Sequence, residues 1–176
     1  MFFNIDRYYY CFATNENEAY FWHGQTTDSN GIHGGMNNAR NIAMQNGGKT
    51  LEMCMLDNID ELESAGVNIE LYSDGSIKEI FYGETEEENE QFWKDCSDAF
   101  AKQAQGDVHV IEGTDCRPNG VPESECPCIY NTLEHDMLAN YNSDITSITS
   151  VDAVTGLETG MKEIVDQGIE YGGMMF

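Results

Sequence analysis

Two tryptophans occur in the chain, Trp22 and Trp93. An indole face is well suited to hold a flat cation, attracting it by ~0.5 to 2 kcal/mol. Ser97 follows Trp93 by four residues, so on a helix the two share a face and the hydroxyl can donate to whatever the ring holds. Two carboxylates offer complementary chemistry: Glu52 in TLEMCML and Glu134 in IYNTLEHDML. A carboxylate beneath a sugar's anomeric carbon stabilises or traps the positive charge that builds there as a glycosidic bond breaks. Each residue also has a bland explanation. A tryptophan on an amphipathic helix is more often core than a ligand platform. Glu52 in an alternating segment would face solvent. Glu134 suits the exposed first turn of a helix, where carboxylates are common.

Other candidates carry less. His23 and His33 flank a glycine-rich loop with no carboxylate pair at ligand spacing, which argues against zinc, and no metal site is expected. His109, between Val108 and Val110, fits a hydrogen-bonded structural histidine. GIHGG and NGG lack the strand, GxGxxG and helix context of a dinucleotide fingerprint. GETEEENE fits a solvated helix start.

The 176 residues suffice for one sizeable core, so a single domain over 1–176 is expected. Eight Lys and Arg against 32 Asp and Glu give a formal charge of -24. That field disfavours a polyanion, which excludes nucleic acid as an expected partner, and it suits a basic protein partner. No apolar run approaches the ~20 residues that cross a bilayer. The start, MFFNIDRYYYCF, lacks the features of a signal peptide, so an intracellular or already mature chain is expected. Six cysteines, Cys11, Cys54, Cys96, Cys116, Cys126 and Cys128, leave two options open: a bridge from Cys116 to Cys126 or Cys128, or free thiols.

The elements that must position these side chains follow from pattern. RYYYCFATNENEAYFW predicts two early strands, or a strand and a turn. TTDSNGIHGG predicts loop. MNNARNIAMQNGG predicts a short helix stopped by Gly47 and Gly48. In TLEMCML, Leu51, Met53 and Met55 alternate with Glu52 and Cys54, predicting an extended segment. NIDELESAG predicts a short acidic helix closed by Gly66. NIELYSDGSIKEIFYG predicts a β-hairpin near 68–82, with Asp74 and Gly75 both at positive φ in the turn. From Glu84 onward an amphipathic helix presents Phe92, Trp93, Cys96, Phe100 and Ala104 and ends near Gly106. VHVI predicts a short buried strand. CRPNGVPESECPC predicts an irregular loop, NTLEHDMLANY a helix with Asn131 or Thr132 near its cap, and DITSITSVDA a strand. Strands separated by helices imply an α/β fold: a helical part and a central, mainly parallel sheet that includes 107–111 and 144–151. In such sheets ligands sit at the carboxyl ends of strands, which places a site beyond VHVI, towards Glu134.

Four segments together resemble the ADP-ribosyl cyclase family, which includes the mammalian surface NAD glycohydrolases and the mollusc cyclase. They are YFWHG, TLEMCMLDNIDEL, FWKDCSDAFAKQAQGDVHV and IYNTLEHDML, in family order across roughly residues 20 to 155. The resemblance implies an α/β fold with a cleft in which the bond between nicotinamide and ribose in NAD is cut. It implies Glu134 and Glu52 as catalytic residues, with Trp22, Trp93 and Ser97 binding substrate, and Tyr130 as the aromatic retained shortly before Glu134. NAD enters as substrate, so no separate cofactor is expected. The implied products are nicotinamide and ADP-ribose, and whether some cyclic ADP-ribose forms is left open.

The chain departs from the family pattern at several points. His23, Gly24 and Gln25 stand where a basic residue usually follows the first Trp, Met53 replaces an acidic residue, and AQGD replaces the Cys before VHV. The alternative is a non-catalytic acidic interaction protein on the same scaffold.

Overall fold

A computed structural model describes residues 1–114 and 130–164. Its centre is a four-stranded sheet in the order β1 (Tyr20–His23), β6 (Gly106–Glu112), β7 (Ile145–Asp152) and β8 (Glu158–Glu163). β1 runs parallel to β6 and β6 parallel to β7, while β8 closes the edge antiparallel. The protein is therefore α/β with a mainly parallel central sheet, as the alternation of elements requires, and two antiparallel hairpins accompany it. One hairpin is β4 (Val67–Leu71) with β5 (Ile77–Tyr82), where the pattern over 68–82 places it.

Side chains alternate across each strand, so each face of the sheet gathers its own apolar set. One face carries Phe21, Val108, Val110 and Ile148 into a core shared with helix α5 (Glu86–Gln103). The other carries Tyr20, Ile111 and Val151 against helix α2 (Gly35–Gln45), through Ala39, Ile42 and Ala43. Helix α5 forms where its periodicity demands. Phe92, Cys96, Ala99 and Phe100 fall on one buried stripe, and Thr85 caps the start by accepting from Glu88 N at 3.1 Å. Phe92 and Phe100 are each 1% exposed, a burial that contributes ~1.5 to 3 kcal/mol per ring.

Several local expectations are corrected. RYYYCF is helical, as α1 (Ile5–Tyr8) followed by a 3-10 turn over Tyr9–Phe12, and not a strand. Its aromatics favour strands in isolation, but packing decides: Cys11 and Phe12 are buried in the core that α5 builds. TTDSNGIHGG contains a hairpin, β2 (Gln25–Asp28) with β3 (Gly31–Gly34), and not loop alone. The Asp28 carboxylate accepts from Asn30 N at 2.8 Å, and Gly31 follows at φ +118, so the turn chemistry is local. TLEMCML is helix α3 (Leu51–Asp57), not an extended segment. Thr50 accepts from Met53 N at 3.2 Å as the N-cap, and Leu51, Cys54 and Met55 are buried at helical spacing.

The β4–β5 turn differs in type. Tyr72 N donates to Ser76 O at 2.8 Å and Gly75 N to Tyr72 O at 3.0 Å. Gly75 has φ +88, while Asp74 is not at positive φ. This is a three-residue loop with glycine in the left-handed position, not the two-residue turn expected. NTLEHDMLANY is helical but wound wide, as π turns over Tyr130–Glu134 and Met137–Tyr141, with Asn131 and Thr132 inside the first turn instead of at a cap. Helix α4 (Ile59–Ser64) and Gly66, at φ +97, fall as the pattern predicts. Strand β8 was not foreseen. Its residues are all exposed, so it carries no alternation of burial to betray it. Cys11, Cys54 and Cys96 are free and buried. The loop CRPNGVPESECPC and the proposed bridges of Cys116 lie outside the described residues. No described helix is long and apolar enough to cross a membrane.

Candidate active site

A cavity of about 470 Å3 opens at the carboxyl end of β1, and Trp22, Glu52, Trp93, Ser97, Tyr130 and Glu134 all line it. The structure thus brings together six residues that span more than a hundred positions of sequence. Four elements deliver them: β1, α3, α5 and the first π turn.

Trp22 lies near the end of β1, opposite Ile111 of β6. Its indole Nε1–H donates to Glu52 Oε1 at 3.1 Å. Glu52 sits in the first turn of α3 and is 3% exposed, against the expectation of a solvent-facing side chain. Burial pushes its carboxyl up from the ordinary value. Hydrogen bonds from the Trp22 indole, its own backbone amide and the Thr50 side chain offset part of that rise. A carboxyl held this way has access to its neutral form and can donate a hydrogen bond as well as accept one.

Trp93 and Ser97 project from one face of α5. Trp93 is half-buried and packs edge-on against Phe92, with ring centroids 5.7 Å apart at 75°. Ser97 is buried one turn later. Tyr130 and Glu134, from the first π turn, are 5% and 7% exposed, so Glu134 is turned away from bulk solvent and onto the cavity. Phe21, Leu51 and Phe100 back the site with apolar surface, where charge interactions are stronger than in water.

His23 also reaches the cavity, a position that motif reasoning passed over. It is 4% exposed, its Nε2 lies 3.2 Å from Glu112 Oε2, and its ring stacks on Tyr130 with centroids 4.9 Å apart at 10°. The histidine holds the Glu112 carboxyl below the usual range. The available signal was strand pairing, since parallel β1 and β6 put His23 beside Glu112 in register. Gln25, at the start of β2, and Gly35 and Met36, in the first turn of α2, complete the rim, and nothing in their residue types announced it. His109 lies on the sheet face opposite His23. It stacks on Tyr20 at 4.5 Å and 6°, with Asp107 and Glu158 oxygens each 3.4 Å from Nε2, consistent with a structural role.

No family model matches the chain, and no curated protein matches it. Among solved structures, an ADP-ribosyl cyclase complexed with N1-cIDPR is similar at 19% identity and a TM-score of 0.46. Aplysia cyclase complexed with NGD and cGDPR is similar at 18% and 0.46, and a point mutant of an ADP-ribosyl cyclase at 20% and 0.47. These matches cover 88%, 78% and 88% of this chain, and 55%, 49% and 55% of the other chains. The chain spans about half the length of the structures it matches. The chemistry open to the site rests on its own side chains.

Proposed function

We propose that the chain is an NAD glycohydrolase, cleaving the bond between nicotinamide and ribose to give nicotinamide and ADP-ribose. The observation that carries this reading is the convergence of two indoles and two buried carboxylates on one cavity. The nicotinamide ring of NAD is a flat cation, and Trp22 and Trp93 offer the faces that attract it. Glu52, oriented by the Trp22 indole, exchanges hydrogen bonds with the carboxamide. Ser97 donates to the ribose or its phosphate.

The C1′–N bond breaks with its electron pair passing to the pyridinium nitrogen, which leaves as neutral nicotinamide. Positive charge builds on the ribose, and Glu134 beneath it stabilises or traps that charge. Water then adds to C1′, displacing the Glu134 carboxylate where it had bonded there, and the water's proton passes to a carboxylate or to solvent. Capture of the same intermediate by the adenine would yield cyclic ADP-ribose as a second product.

Incubating the protein with NAD and following nicotinamide release tests the proposal. Wild-type protein releases nicotinamide, and Glu134→Gln lowers the rate by roughly 10² to 10⁴, the range expected for a positioned catalytic carboxylate. Absence of turnover in folded wild-type protein, or undiminished turnover in the variant, overturns it. Absence of turnover together with salt-sensitive binding to a basic protein would favour the non-catalytic interaction protein instead.

A further inference from the structure

A second cavity, of about 670 Å3, shares His23 and Tyr130 with the first. Its floor is one face of the sheet. Strand registers set His23 beside Glu112, Val110 beside Ser150, Ser150 beside Gly160 and Ile148 beside Lys162. Tyr130 and His135 reach it from the π-wound helix. His23 and Glu112 close β1 and β6, so the cavity runs over the sheet face from Ile148 and Lys162 to the carboxyl ends of β1 and β6, where ligands of α/β sheets collect.

The charges are arranged unevenly. Glu112 is answered within the protein by His23, at 3.2 Å, and by the Ser150 hydroxyl, which together hold its carboxyl below the usual range. His135, exposed but partly desolvated, is kept towards its neutral form by that desolvation first and then by the Lys162 charge, so its imidazole offers an N–H donor. Lys162, one of only eight Lys and Arg in a chain with 32 acidic residues, supplies a cation to the same wall. A Cβ added at Gly160 would meet nothing within 4 Å, so the floor beside Ser150 stays open. Val110, Ile148 and Met161 add apolar surface that would flank an organic group.

We propose that this second cavity binds a phosphate-bearing small molecule, with Lys162 and His135 donating to phosphate oxygens and the His23–Glu112 pair forming the wall shared with the first cavity. A point-charge ammonium beside an N–H donor is chemistry that phosphate oxygens accept. The phosphate has two conceivable sources: the diphosphate of NAD itself, which rests on the function proposed above, or a free phosphate compound acting beside it.

Calorimetric titration of the full chain with ADP and with inorganic pyrophosphate at low salt tests the site. Saturable binding is expected, weakened about tenfold or more by Lys162→Ala or His135→Gln, as for loss of a hydrogen bond involving a charged group. Both side chains lie at exposed positions, so thermal unfolding should be little changed. Glu112→Gln should tighten binding, because it removes a negative charge from the wall, an outcome that a merely structural role would not produce. No saturable binding of either probe, or binding indifferent to both Lys162→Ala and His135→Gln, overturns the proposal. Displacement of ADP by NAD with the same dependence on Lys162 identifies the substrate's diphosphate as the source, and ADP bound alongside NAD identifies a free ligand. ADP binding that depends on Lys162 in a protein that releases no nicotinamide would leave this site standing and remove only the activity assigned to the first cavity.

Discussion

The Trp22 indole donates to the Glu52 carboxylate at 3.1 Å, joining the end of the first sheet strand to the first turn of a helix thirty residues later. Glu52 is thereby buried with a partner, and its carboxyl is raised mainly by desolvation.

Because the folded value of Glu52 lies above its ordinary 4.5, the native state holds the proton more tightly than the unfolded chain. The stability it contributes is complete below the unfolded value and is lost as pH rises through the raised folded value. Glu52→Gln, which never ionises, should therefore melt higher than wild type at pH 8, with the gap closing towards pH 4. Nicotinamide release should fall in the same variant. Thermal unfolding across that range checks the first claim, and an inverted pH trend would contradict it.

Trp22→Phe keeps an aromatic face but removes the N–H donor. Losing a hydrogen bond to a charged group costs ~1.5 to 3 kcal/mol. The variant should be destabilised more at pH 8 than at pH 5, because the ionised carboxylate loses its indole partner. Denaturant unfolding at the two values measures this.

Under the proposed activity, Trp93→Ala removes one of the two rings offered to the nicotinamide cation. A cation–π contribution of ~0.5 to 2 kcal/mol corresponds to a rise of about 2- to 30-fold in KM, with a smaller effect on kcat, and Trp93→Phe should recover part of it. Steady-state kinetics separates the two constants.

Thr50→Ala deletes the N-cap of α3 and should cost ~0.5 to 2 kcal/mol of stability. Thr50 also hydrogen-bonds the Glu52 side chain, so turnover should drop further than the same loss of stability produces at a remote position. Parallel measurement of unfolding and of nicotinamide release tells the two effects apart.

The long helix α5 and the β4–β5 hairpin were legible because their information is local. Phe92, Cys96 and Phe100 repeat at helical spacing within a helix of eighteen residues, and alternating runs flank Asp74 and Gly75. Helix α3 was misjudged because seven residues satisfy two periods at once. Leu51, Met53 and Met55 alternate as a strand would, while Leu51, Cys54 and Met55 match a helix. The Thr50 cap was the deciding local signal, and packing against the core confirms its choice. The β2–β3 hairpin was hidden by glycine and polar residues that are poor strand formers in isolation.

Residue chemistry alone offered two indoles suited to a flat cation, whereas the choice of Glu52 and Glu134 among 32 acidic residues, with Ser97 and Tyr130, came from the resemblance to the ADP-ribosyl cyclase family. Local pattern determined the α/β class, since helices and strands alternate along the chain. Only tertiary structure decided that Glu52 is buried and hydrogen-bonded to Trp22 instead of facing water, that His23 pairs with Glu112, and that Glu134 turns onto the same cavity. Those relationships join residues 30 to more than 80 positions apart. They follow from the parallel pairing of β1 with β6 and from which helix docks on which face of the sheet, and neither is encoded in the periodicity of any one segment.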